Sequence, residues 1–267
     1  MSDEERRARA VELLSAAAAK AKRAGNVPFA PAFVISAEDG EETPLARLIK
    51  GGRGGQVRLK LYLCITMMAT SPPYDLRNAP TPASWARLLG LDPDTGPRRV
   101  SSNLRWLADN GFISLRPRPG STAVITLLNP TVSRAQREFT AQTGIAPRRK
   151  YERPSGKGRY IGVPVELWTK GWILDLSTTG LAILMVLMEL QGGHAGPRYV
   201  TRQRHERYGL STDTWTRARK ELERHQLLTV TRTPQGSDFD YQRMRNLYRV
   251  HVERMKTSPE ASARHSV

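Results

Sequence analysis

The chain has 267 residues, 39% of them hydrophobic, enough for about two packed domains. Its 42 Lys/Arg against 25 Asp/Glu leave a net charge of +17, which points to a polyanionic partner, either nucleic acid or an anionic membrane surface. The lone cysteine, Cys64, excludes an internal disulfide framework and Cys-based zinc fingers, and no metal site or cofactor is expected.

Residues 2–24 read as a helix: Ser2 and Glu5 form a capping box, an alanine run follows, and Gly25 supplies the stop. Its apolar stripe (Val11, Leu14, Ala18) is thin, so it is expected to be exposed or ordered only against a partner. Residues 26–50 hold prolines and acids with little periodicity and read as an extended arm. Gly51-Gly52-Arg53-Gly54-Gly55 reads as a hinge: either a plain linker or an arm offering Arg53 to a DNA minor groove.

The next segment, 51–130, has helical spacing in Val57, Leu61, Cys64, Ile65 and Met68. Prolines 72, 73, 80 and 82 make a rigid connection to a short helix that Thr81 caps and Gly90 ends. A third helix spans about 98–110, with Val100, Leu104, Leu107 and Ala108 facing inward, and strands at 112–116 and 123–128 form a hairpin. A connecting helix at 131–143 and a basic linker at 145–159 follow. The segment 160–256 opens with a strand at 161–165. Ser177 then caps a helix at 178–190 that is apolar almost all round. After a strand at 198–201, helices at 202–209 and 212–225 precede strands at 227–233 and 248–252, separated by a long basic tip. Residues 257–267 read as a disordered tail.

Two stretches match. Leu88-Leu89-Gly90-Leu91, a helix, then Asn110-Gly111-Phe112-Ile113 is answered by Arg207-Tyr208-Gly209-Leu210, a helix, then His225-Gln226-Leu227-Leu228. Leu107 and Leu222 hold the same inner position, and the first copy carries four extra turn residues. The charge surplus falls in the same two blocks. Residues 51–150 have 15 Lys/Arg against 5 Asp/Glu and residues 198–256 have 14 against 7, whereas residues 1–50 balance at 8 and 8.

Three helices followed by a hairpin, twice over, resemble the winged-helix superfamily across about 56–129 and 160–253. The opening Tyr160-Ile161-Gly162-Val163-Pro164-Val165-Glu166-Leu167-Trp168 before an apolar helix is similar to winged helices of plasmid and phage replication initiators. The expected fold is mostly α with small β wings (α+β), two winged helix-turn-helix domains in tandem behind an N-terminal helix and arm. In that fold the third helix enters the major groove. Arg98, Arg99, Ser102, Asn103 and Arg105 are then the outer face of the first, and Thr212, Thr214, Thr216, Arg217 and Lys220 of the second. Arg116 and Arg118 on one wing, and Arg232, Arg243 and Arg245 on the other, are candidate phosphate or minor-groove contacts. Arg202, Arg204 and Arg207 on helix two are weaker phosphate candidates. All these faces also read as ordinary solvated surface.

Catalysis is not expected. His205-Glu206-Arg207-Tyr208-Gly209 begins like a zinc-protease motif, but Gly209 stands where its second histidine belongs. Gly156-Lys157 lacks the first glycine and the Ser/Thr of a P-loop. The chain is expected to bind double-stranded DNA at a defined site. Its role would be a transcription regulator or the replication initiator or centromere binder of a mobile element. The alternatives are an assembly protein with one winged helix on a protein partner, or a nonspecific architectural binder. No apolar leader opens the chain, and its most apolar run, 181–190, is about half a membrane span. A cytoplasmic, nucleoid-associated protein without membrane contact is therefore expected, with a homodimer possible through the N-terminal helix or helix 181–190.

Overall fold

Capping and apolar spacing build most of the helices. The computed structural model describes the whole chain except residues 1, 39–40, 52, 132–141, 145–148, 155–158, 236–242 and 261–267, and the side chains of 53, 54, 235 and 243. Helix α1 (Asp3–Lys20) starts at the expected Ser2–Glu5 capping box. Strand β1 (Asn26–Phe29), a 3₁₀ turn (Pro31–Phe33) and α2 (Pro44–Ile49) lead to α3 (Arg53–Met68). Next come β2 (Asp75–Leu76), α4 (Pro82–Leu88), α5 (Gly96–Asp109), β3 (Ile113–Arg118) and β4 (Ser121–Leu127). The rest comprises β5 (Ile161–Pro164), α6 (Glu166–Thr169), α7 (Trp172–Asp175) and α8 (Thr178–Gln191), then β6 (Arg198–Tyr199), α9 (Arg202–Tyr208), α10 (Thr212–Arg224), β7 (Leu228–Gln235) and β8 (Arg243–Val250). The chain is thus α+β, with small antiparallel sheets.

One order occurs twice: helix, strand, helix, helix, strand, strand, as α3-β2-α4-α5-β3-β4 and α8-β6-α9-α10-β7-β8. Both sheets place the last strand in the middle, β2-β4-β3 and β6-β8-β7. The likeness reaches single hydrogen bonds. Phe112 N–H donates to the Leu107 carbonyl and Leu227 N–H to that of Leu222, each at 2.9 Å. Leu128 N–H donates to Phe112 at 3.0 Å and His251 N–H to Leu227 at 2.9 Å. Gly90 and Gly209, at φ +62° and +67°, end the second helix of each copy in the left-handed conformation that glycine adopts without strain.

Several expectations need correction. Residues 26–50 are not an extended arm. β1 pairs antiparallel with β5, from Asn26 opposite Pro164 to Phe29 opposite Ile161, and α2 is buried through Pro44, Leu45, Ala46 and Leu48. Elements of three to six residues are too short to show a period. Arg53, Gly54 and Gly55 of the glycine-rich hinge form the first turn of α3. A Cβ on Gly55 would stand 2.5 Å from the Ile49 carbonyl oxygen, so glycine there permits the close approach of α2. Helix α1 packs its apolar stripe within the chain rather than leaving it exposed: Ala10, Leu14 and Ala18 are buried against α3, α4 and α6. Val11 also packs closely on Gly171, where a Cβ would stand 2.7 Å from its methyl group, so glycine there permits the contact.

Helix α8 leaves no dimer seam. Leu181, Ala182, Ile183 and Val186 are fully enclosed within the one chain, so that apolar surface is not free for a second copy, whereas α1 buries one stripe and leaves its polar face exposed. β8 begins at Arg243, not 248, and pairs with β7 over all eight residues, so the second hairpin is more strand and less tip than expected. The tail is ordered at its start: Trp172 Nε1 donates to the Thr257 carbonyl at 2.9 Å, and Pro259 is buried. The connecting helix expected at 131–143 lies almost wholly outside the described residues, as do most of the linker at 145–159 and the end of the tail.

One continuous core runs through both copies. The N-terminal elements hold them together. Arg207 N–H donors and carbonyl bond Ser36 reciprocally at 2.7 and 2.9 Å, and Arg47 donates to the Asn110 carbonyl at 2.9 Å at the end of α5. No described helix is long and apolar enough to cross a membrane.

Candidate nucleic-acid interface

Helix α5 owes its two faces to its spacing. Val100, Leu104 and Leu107 are at most 8% exposed, and Arg98, Arg99, Ser102 and Arg105 are exposed on the other side. None of those three guanidiniums has a recorded hydrogen-bond or ion-pair partner among the described residues. Gly96 sets how close α5 lies to α4: a Cβ there would stand 2.9 Å from the Cβ atoms of Ala86 and Leu91.

Asn103 does not belong to the outer face. It is 7% exposed; its amide donates to the Arg99 carbonyl at 2.7 Å and accepts from Arg58 Nε at 3.2 Å. The reason is its spacing, three after Val100 and four before Leu107, which puts it on the inner stripe. Arg58 also stacks on Trp106, 4.2 Å from the ring centroid, so this cluster ties α5 to α3.

Helix α10 repeats the geometry. Trp215, Ala218 and Leu222 are buried, while Thr212, Thr216, Arg217 and Lys220 are exposed. Thr214 is half-buried, and its hydroxyl accepts from Ser211 Oγ at 2.9 Å within the helix cap, so it is committed locally. Arg224 continues the row of Arg217 and Lys220 at helical spacing and is exposed, a candidate the sequence reading omitted. Counting back from the matched leucines, Asp213 stands where the first copy has Arg98.

On the wings, Arg116 is exposed with no partner among the described residues, whereas Arg118 donates to the Arg77 carbonyl at 2.7 Å and anchors the hairpin tip. Arg232 is exposed opposite Asn246, and Arg249, also omitted from the sequence reading, is exposed opposite Thr229. Arg245 lies over Tyr199, 5.2 Å from the ring centroid. Arg53 falls in the first turn of α3 and Arg243 opens β8; their side chains are outside the described residues.

Helix two of the second copy departs most from expectation. Arg204 is bound by both carboxylate oxygens of Glu189 at 2.8 and 2.7 Å, with Tyr208 Oη donating to the same carboxylate at 3.0 Å. Arg204 is thus largely a structural cation. Arg202 is fully extended into solvent and pairs with Glu206 at 3.0 Å. No cluster of His, Cys, Asp or Glu suited to a metal occurs among the described residues. No protein-family model, curated protein or solved structure matches the chain.

Proposed function

We propose that the protein binds double-stranded DNA at a defined site through two winged helices, with α5 and α10 as the groove-reading helices. The observation that carries this reading is the repetition of one arrangement: a third helix whose inner stripe is buried and whose outer face is polar, cationic and free of acidic partners, followed by a hairpin with exposed arginines. At matching positions only Arg105 and Lys220 share a charge, so what repeats is the two-sided helix before a hairpin, and the two outer faces differ as two different half-sites would require.

In this reading Arg98, Arg99 and Arg105 meet guanine edges or phosphate, because a guanidinium grips N7 and O6 in two bonds. Thr212, Thr216 and Arg217 meet a second half-site of different character, the threonine methyls suiting thymine. Arg116, Arg232, Arg245 and Arg249 lie along the backbone and set register. With six to ten phosphates neutralised, log K falls with log salt at a slope of about −5 to −9.

The test is selection of bound duplexes from a random library by the full chain, followed by affinity against unselected duplex. The reading expects one enriched asymmetric site and a preference of at least about a thousandfold. A ratio near one would leave only nonspecific architectural binding. Occupancy in the host then separates the roles. A single peak at an origin or partition site marks an initiator or centromere binder, and many peaks sharing the motif mark a transcription regulator.

A further inference from the structure

A second cationic feature lies apart from the α10 outer face. A cavity of about 410 Å³ opens between the end of α8, β6 and the start of α9, lined by Arg159, Arg198, Arg204 and Arg207 with Tyr199 and Thr201. Four arginines line it, and the carboxylate recorded against them is Glu189, which is 3% exposed, engaged by Arg204 and Tyr208, and 3.6 Å from Arg159. Arg159 spends one donor on the Glu189 carbonyl at 3.0 Å, and Arg207 spends Nε on the Ser36 carbonyl at 2.7 Å. Arg198 is half-buried, and no partner is recorded for its guanidinium among the described residues. The cavity thus concentrates about three uncompensated positive charges and several unused N–H donors, beside an aromatic ring that is 46% exposed. Gathering like charges is unfavourable without an anion, and the forked donors of arginine fit phosphate oxygens in two bonds at a time.

We propose that this cavity is a phosphate-binding site, taking either a backbone phosphodiester of bound DNA or the phosphates of a free nucleotide that lies against Tyr199. The backbone source rests on the DNA-binding reading above; the nucleotide source does not. Arg198 is the group that senses the anion, since its removal breaks no recorded contact. Arg204 holds the floor through Glu189.

The test is isothermal titration of the full chain with inorganic pyrophosphate and with ATP, together with the salt dependence of duplex binding, for the wild type, Arg198→Ala and Arg198→Lys. A nucleotide site gives saturable binding of pyrophosphate and ATP, weakened at least tenfold by Arg198→Ala and partly restored by Arg198→Lys, with an unchanged duplex salt slope. A backbone site gives a salt slope smaller in magnitude by about one in Arg198→Ala, with or without pyrophosphate binding. The proposal is overturned if Arg198→Ala, folded as judged by an unchanged Tm, alters neither anion binding nor the slope. If the wild type fails to bind duplex at all, the DNA-binding reading falls, and the pyrophosphate arm alone decides the site.

Discussion

The two copies share a backbone plan and differ in how it is held. In the first, aromatic packing does the work. Phe29, Phe33, Tyr62, Phe112 and Trp106 form a chain of ring contacts at 5.4 to 5.8 Å that runs from β1 through α3 to α5. In the second, ring contacts recur from Tyr208 through Trp215 to Tyr248, and helix α9 is tied to α8 in addition by the buried Glu189–Arg204–Tyr208 cluster. The exposed faces differ in the same sense: α5 offers arginines, and α10 offers threonines, one acid and a spaced row of cations. The same element order is thus fastened by a ring chain onto the third helix in one copy and by an added ionic cluster on the second helix in the other. On the proposed DNA-binding reading, that freedom lets two copies in one chain diverge toward different half-sites.

The comparison breaks first at Glu189. Glu189→Ala leaves Arg204 in its half-buried place without its carboxylate, and unpairing a buried ion pair costs about 3–5 kcal/mol. Urea unfolding is expected to show that loss; a change below 1 kcal/mol (on the order of a surface pair) would mean that the cluster is not what fastens α9. The matching change in the first copy is steric. Gly96→Ala forces a methyl to within 2.9 Å of Ala86 and Leu91, a cost of about 1–3 kcal/mol, with duplex binding falling as α5 shifts. The same alignment puts Ser211 opposite Gly96. Ser211 is an N-cap whose hydroxyl accepts from Thr214 N–H at 3.2 Å, so Ser211→Ala costs only about 1 kcal/mol, by the loss of a cap. Equal effects at the two positions would contradict the separate roles given to close approach and capping.

The smallest effect concerns the contact between copies. Lys60, on α3, donates to the Leu174 carbonyl at 3.1 Å at the end of α7. Burial pulls its pKa down to about 8, only partly opposed by Cys64, Glu221 and Asp175. The unfolded chain keeps a lysine near its usual value of about 10.4, so between pH 8 and 10 it holds more protons than the folded chain. Folding at this site therefore gains stability as pH rises through that window. Lys60→Met is expected to raise Tm at pH 7, and its advantage over the wild type should shrink toward pH 10. An advantage that stays constant with pH would show that Lys60 is not desolvated at this contact.

Much of this plan was legible in the residues. The caps at Ser2, Thr81, Ser177 and Ser211 each mark a helix start by a local hydrogen bond, so they read without tertiary context. The Gly-Leu pairs and the Leu107/Leu222 match disclosed the repeat for the same reason. What escaped depends on distant partners. β1 is a strand only because Ile161–Pro164 lies beside it, and the two-residue β2 exists only by pairing with Thr126 and Ile125. At the candidate interface, the exposed arginines of α5 stood out by helical spacing. Asn103 was misplaced because its polarity was weighed above a spacing that put it inside. Arg204 was misread because its partner, Glu189, sits on another helix.

The measurement that tests the account most directly uses the selected asymmetric duplex with either half scrambled in turn. Affinity is followed by fluorescence anisotropy for the wild type, Arg98→Ala/Arg99→Ala and Arg217→Ala/Lys220→Ala. The account predicts that each double variant loses about 1–3 kcal/mol per base contact on its own half and becomes indifferent to scrambling that half, while still discriminating the other. If one pair leaves affinity and selectivity untouched, its copy does not read DNA and its helix is free for a protein partner. If neither pair matters, the central claim is wrong.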